Sequence, residues 1–393
     1  MDNTPLYHAV KGQHLDAVKL LLEHNANPDM DTLSLAYSDA ENIEITDLLI
    51  RYGAKVDRII VRTILDKHIS LIHTMIECGI SMTCRHLYYA FECGIDMYTI
   101  KLLLNTGIEV NDPDYPAIHA SYNIEHTELL ASYGADINAT LGGTTVLYRY
   151  IWRHEHDIID RLLHVPGIDV DLGDIWTNET PLMTALKRHK TEIAHVLLNH
   201  GADPHIQTET DKISPLHYAV QTSDPSMINR LLGLGVSPNN DTSYVNEPPL
   251  IYALHKCKTE IAYVLLDHGA DPHIQTEKDK ISPLHRAVQT SDLSIINRLL
   301  ELGVSPSICD NDGNQPLHYA NNIHAIEALI DTGKVDINAK NKKSMTPIYN
   351  AYDVNCAALL VQHGAILDTM ESMDIHHVNI YRHIDDTLNL AYI

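Results

Sequence analysis

Residues 179–242 and 247–310 of this chain are near copies of one another. The first block reads ETPLMTALKRHKTEIAHVLLNHGADPHIQTETDKISPLHYAVQTSDPSMINRLLGLGVSPNND, and the second opens EPPLIYALHKCKTEIAYVLLDHGADPHIQTEKDKISPLHRAV. The offset is 68 residues, as Thr191 to Thr259 or His217 to His285 shows. Each block is itself two units, because ETPLMTAL returns as ISPLHYAV about 34 residues later. A short unit repeated in tandem cannot bury its apolar face alone, so copies must stack, each against its neighbours.

Within one unit, Leu216, Ala219 and Val220 have helical spacing, as do Met227, Leu231 and Leu232. Pro215 suits a first helical turn, with Ser214 before it as a cap. Asp224 and Pro225 separate the helices, and Gly235 suits a left-handed stop. The spacing predicts a helix–turn–helix followed by a polar finger.

The unit resembles the ankyrin repeat. Its opening recurs as TPLYHA (4–9), TPLMTA (180–185), SPLHYA (214–219), PPLIYA (248–253), SPLHRA (282–287), QPLHYA (315–320) and TPIYNA (346–351). Its closing recurs as GAKVD (53–57), GADIN (134–138), GIDVD (167–171) and GADPH (201–205 and 269–273). The resemblance implies an all-α solenoid of stacked helix–turn–helix units with β-turn fingers, about twelve units over residues 1–367. The matches are poorest over 58–111, which is expected to be irregular. In the tail, 368–393, Val378, Tyr381, Ile384 and Leu388 have near-helical spacing, as a helix closing the stack would.

Catalytic signatures are missing. The sequence has no G-x-G-x-x-G, Walker loop, H-E-x-x-H or G-x-S-x-G. There are 26 histidines, but His217, His285 and His318 recur at the repeat opening, where a ring nitrogen can bond the next finger. His376 and His377 are adjacent and would face apart on a helix. No enzyme, cofactor or metal is expected. The six cysteines form no C-x-x-C pair, which fits a reducing compartment, and Cys78, Cys84 and Cys93 read as buried small hydrophobes. With no signal peptide and no long apolar run, a cytoplasmic monomer is expected. A formal charge of −24 disfavours nucleic acid and anionic membranes and favours a protein partner with a basic surface.

The resemblance implies that fingers and first helices line a concave binding face, read through the free position of T-P-L-H-x-A. That position holds His8, Tyr89, His119, Arg149, Thr184, Tyr218, Tyr252, Arg286, Tyr319 and Asn350. Tyr218, Tyr252, Arg286 and Tyr319 follow in successive units and are hot-spot residue types. They read either as a docking stripe or as packing between first helices. Trp152, at the end of a first helix, and Trp176, in a finger, read as partner contacts or as local packing. The finger acids Asp171, Asp174, Glu179, Glu209, Asp211, Glu277, Asp279, Asp310 and Asp312 read as a solvated edge.

Phrases such as LLDHGADP, INRLLELGVSP and GKVDINAKN are similar to the ankyrin proteins of poxviruses, avian ones especially. That implies a virus-encoded host-interaction factor, in the host cytoplasm. Many such proteins end in an F-box-like segment that recruits a ubiquitin ligase; here the tail is expected to be too short for one. A binding module or decoy is the first reading, a scaffold bridging two proteins the second.

Overall fold

The computed structural model describes residues 4–38, 43–121, 123–153, 156–209, 212–239, 247–290, 292–351 and 353–366. The tail read as a closing helix lies outside these residues, as does Asp211. The chain divides into two compact bodies, Met1–Trp176 and Thr177–Ile393. Among the described residues each is helical, with β-turn fingers between helix pairs and no helix long and apolar enough to cross a membrane.

The N-terminal body stacks six pairs: Pro5–Lys11 with Leu15–Glu23, Met30–Ser38 with Ile43–Arg51, Ile60–Leu65 with Ile69–Glu77, Cys84–Glu92 with Met97–Asn105, Ala117–Ala120 with Ile124–Ser132, and Val146–Arg153 with His156–Leu163. The stretch 58–111, poor in repeat wording, thus folds as two of these pairs. The C-terminal body stacks six more: Pro181–Lys187 with Thr191–Asn199, Pro215–Thr222 with Pro225–Gly233, Pro249–His255 with Thr259–Asp267, Pro283–Thr290 with Leu293–Glu301, Pro316–Tyr319 with Ile323–Ile330, and Pro347–Asn350 with Val354–Gln362.

The apolar stripes explain the stacking. Leu216, Ala219, Val220, Met227, Ile228 and Leu231 have no solvent exposure. Burying one such large side chain is worth about 1.5–3 kcal/mol, and neither helix could achieve it alone. First helices therefore pack on first helices, as Pro181–Lys187 does on Pro215–Thr222, and second helices on second helices. Ser214 and His217 form a capping box at the first helix, Asp224 caps the second, and Gly235 ends it with φ of 87°.

Two ladders join successive repeats. In the fingers, backbone N–H groups donate to the preceding finger: Ile175 to Gly143 O (3.2 Å), Glu209 to Thr177 O (3.2 Å), Asn311 to Asp279 O (2.8 Å) and Lys342 to Asp312 O (2.9 Å). At the closings, an asparagine side chain bonds the next repeat twice. Asn138 donates to Gly167 O (2.7 Å) and accepts from Asp169 N (2.8 Å), and Asn111, Asn239 and Asn338 do the same one repeat onward.

Candidate partner-binding surface

The Tyr–Tyr–Arg–Tyr stripe is tied into the C-terminal body by buried carboxylates. Glu179, 6% exposed, sits against Lys187 Nζ at 2.6 Å and accepts from the Thr184 hydroxyl at 3.3 Å. The same ammonium lies 5.6 Å from the Tyr218 ring centre. One duplication later, Glu247 takes the place of Glu179 and contacts His255 at 2.8 Å and Arg286 at 2.5 Å. The cation has moved: Lys187 becomes His255, while Tyr218 becomes Arg286. Each copy keeps a basic partner for its carboxylate, since an unpaired buried charge is costly.

Tyr218 and Tyr252 are each only 7% exposed, whereas Arg286 and Tyr319 are half-buried. The Tyr319 hydroxyl donates to Asp310 Oδ2 at 2.6 Å, and its ring meets His285 edge-on at 5.6 Å. Burial first, then the Asp310 carboxylate, pushes the Tyr319 phenol up to about 12. Burial alone would raise Asp310, but hydrogen bonds from Tyr319, Asn314 and backbone N–H groups outweigh it and hold the carboxyl below its ordinary value. Glu179 and Asp310 are thus not part of a solvated acidic edge. Their oxygens fasten first helices to fingers.

The motif histidines bond as their repeat position suggests. His285 Nε2 lies 3.1 Å from Asn314 O, and His318 Nε2 lies 3.2 Å from Met345 O. His119 behaves in the same way, 2.7 Å from Ala139 O and 1% exposed. His119 therefore occupies the histidine position of its repeat rather than the free one. Pro116 is the cap and not the first-turn proline, so His119 stands third in its helix, as His318 does after Gln315. The helix is also short. From Ser214 to Asp224, the two caps of one repeat, is ten positions; from Pro116 to Asn123, from Gln315 to Asn322 and from Thr346 to Asp353 it is seven.

That shortening explains two free-position side chains. A single-turn helix leaves carbonyls without an intrahelical donor. Arg149 donates Nη1 to the His119 carbonyl, and Asn350 Nδ2 donates to the His318 carbonyl at 3.1 Å. Each reaches back one repeat to a shortened helix.

The tryptophans stand out by exposure. Trp152 is 50% exposed on helix Val146–Arg153, with its ring 6.4 Å from Tyr148. Trp176 is 73% exposed and Ile175 beside it 62%. They lie over the tip of the preceding finger, Leu141-Gly142-Gly143-Thr144. Both glycines have positive φ, 57° and 79°, and Leu141 and Thr144 exchange backbone hydrogen bonds, making a tight hairpin. A Cβ on Gly143 would stand 2.6 Å from Trp176 Nε1 and 2.8 Å from Ile175 Cγ1. The missing side chain is what lets the exposed indole settle there.

One aromatic group escaped the sequence reading. Tyr88, Tyr89 and Tyr115 cluster around Arg85 on helix Cys84–Glu92 and the following finger. Only Tyr89 stands at a position read as free; Tyr88 beside it and Tyr115 in the finger hold no such position, and only the fold brings the three rings together. Of the three cysteines read as buried, Cys84 is buried, Cys93 is intermediate and Cys78 is exposed. Cys78 caps a second helix at its outer end, beyond the stripe.

Comparison with known proteins places these repeats. A model of three tandem ankyrin repeats matches residues 117–208, 147–242, 182–276, 216–308 and 284–371, and a single-repeat ankyrin model matches 1–33. A putative ankyrin repeat protein of fowlpox virus is 27% identical over 152 residues, 35% of this chain and 22% of that protein. The match thus spans about a fifth of the relative's length. Among solved structures, the human ASB11 ankyrin repeat domain is 20% identical with a TM-score of 0.49, covering 57% of this chain and all of that one. The Bcl-3 ankyrin repeat domain is 23% identical with a TM-score of 0.46, covering 56% and 99%.

Proposed function

From the premise that this chain belongs to the ankyrin-repeat family, whose repeats serve protein–protein interaction, we propose that it is a non-catalytic binding module that holds a host protein for a virus. The observation that carries the finer reading is the exposed Trp176–Ile175 pair on its glycine hairpin. Large rigid aromatics on a preformed support are the side chains that anchor interfaces, because little conformational freedom is lost when they are covered. Trp152 adds a second exposed indole in the same body. In the C-terminal body, the tied-down Tyr218–Tyr252–Arg286–Tyr319 row supplies a firm floor rather than mobile anchors; in the N-terminal body, Arg149 braces the repeat before its own. The charge of −24 favours a partner with a basic face and hastens its encounter. The resemblance to a poxvirus ankyrin protein supports a host target, met in the host cytoplasm by a monomer.

The test is quantitative affinity capture from host cells, with the intact chain compared against Trp176→Ala and Trp152→Ala at equal folded amount. A specific host protein whose recovery drops at least several-fold in Trp176→Ala supports the reading. Recovery unchanged in both variants sinks it.

A further inference from the structure

Helix Cys84–Glu92 has nine residues, against seven or eight in the first helices of the duplicated blocks. The N-caps of the helix pair, Thr83 and Asp96, stand thirteen positions apart, against ten for Ser214 and Asp224, because the connecting loop is longer too. Its first turn carries Arg85, with Tyr88 and Tyr89 at i+3 and i+4 on the same side. The finger that follows supplies Tyr115, whose backbone N–H donates to Asp112 Oδ1 at 3.0 Å and so fixes the loop.

The three rings form a corner. Tyr88 lies 5.9 Å from Tyr115 and 6.0 Å from Tyr89, with planes at 73° and 88°, and Tyr89 lies 6.3 Å from Tyr115. The guanidinium carbon of Arg85 sits 5.3 Å from the Tyr115 ring centre and 5.7 Å from that of Tyr89. All three rings are half-buried, whereas Arg85 is exposed. Aromatic faces attract cations, and a corner of rings attracts them from more than one side. Carboxylates add to the field. Burial and the charge of Glu92 hold the Tyr88 phenol above its ordinary value, and Asp112 anchors the loop below Tyr115. Arg149 also acts on Tyr88, in the opposite sense, but its guanidinium donates to the His119 carbonyl.

We infer that the Tyr88–Tyr89–Tyr115 corner is a recognition site for an arginine or lysine side chain of a protein partner, which takes the place that Arg85 holds over the rings. Arg85 demonstrates that the corner accepts a cation of this shape. Because Arg85 is exposed, it can swing into water at little cost and be re-solvated there. A partner's side chain, desolvated as the interface closes, gains more from the same rings than an exposed one does. The net charge of −24 draws such a partner in. The site rests on the reading of the chain as a binding array, and a defined probe keeps the two separable.

The probe is a short fluorescein-labelled peptide with arginines spaced by glycine and serine, read by anisotropy against a twin carrying citrulline. The intact chain, Arg85→Ala, Arg85→Ala/Tyr115→Leu and Arg85→Ala/Tyr89→Leu are compared after their melting curves confirm folding. Vacating the corner in Arg85→Ala is expected to tighten arginine-peptide binding about threefold, and each ring loss to weaken it about fivefold, with little change for citrulline. Equal binding of both peptides, or arginine binding indifferent to all the substitutions, overturns the site. Neither result touches Trp176-dependent capture, so failure here and failure of the binding-module reading are told apart.

Discussion

At the scale of single residues, the motif histidines do structural work that depends on one protonation state. His285 Nδ1 accepts from the Ser282 backbone N–H at 3.1 Å, so Nε2 carries the proton and donates to Asn314 O. His318 does the same between Gln315 N and Met345 O. Protonating Nδ1 would turn an acceptor into a donor facing a donor. Burial also lowers the values of His119, His285 and His318 below the ordinary one. The folded state therefore binds fewer protons than the unfolded chain below about pH 6.5. Their stabilisation is full above that pH and is lost as pH falls from there towards the lower folded values. Urea midpoints are expected to drop between about pH 7.5 and 5, and less steeply in His318→Gln. A midpoint flat across that window, or an unchanged slope in the variant, would contradict the assignment.

At the scale of elements, helix length and side-chain role are coupled. Where the first helix keeps one turn, the next repeat sends a long polar side chain back to its open carbonyl: Arg149 to His119, Asn350 to His318. Removing such a donor leaves the carbonyl unpaired, so Arg149→Met is expected to cost about 1–3 kcal/mol in denaturant unfolding. Arg149→Met with no measurable cost would show that water replaces the guanidinium. Asn350 allows a sharper test. Inserting Val-Gln-Thr after Ala320 restores the turn found in the duplicated repeats, and the His318 carbonyl then gains an intrahelical partner. Asn350→Ala is expected to cost about 1 kcal/mol in the natural chain and close to nothing in the insertion variant. Equal costs in both backgrounds would show that the two features are unrelated.

At the scale of the molecule, the two 68-residue blocks offer interchangeable ends. Glu179 and Glu247 occupy the same place, and each finds its cation within its own repeat or the next. Deleting 179–246, so that Asn178 runs into Glu247, is expected to leave a folded helical chain of lower total stability, since stacked repeats add their energies neighbour by neighbour. Circular dichroism and a single unfolding transition would bear this out; an aggregated or non-helical product would show that the copies are not equivalent. The repeat wording made most of this architecture legible: the helix pairs, the Gly235 stop, the Ser214 and Asp224 caps and the role of His285 and His318 follow from spacing alone. It read the stretch 58–111 as irregular because the motif letters fade there, although Leu71, Ile72 and Met75 keep the buried stripe.

What the sequence determined by itself is therefore whatever repeats, because a helical period and a capping residue act locally and a unit that must stack announces its apolar stripe. What only the tertiary structure decided is how residues of similar type differ in use. Tyr218 and Tyr252 are covered while Trp176 lies open, Glu179 and Asp310 are buried braces rather than solvated acids, and Arg149 serves the repeat behind it. The reason is physical. Exposure and pairing depend on groups from eight to thirty residues away in the chain, and a single missing helical turn moves such groups past one another without altering the letters around them.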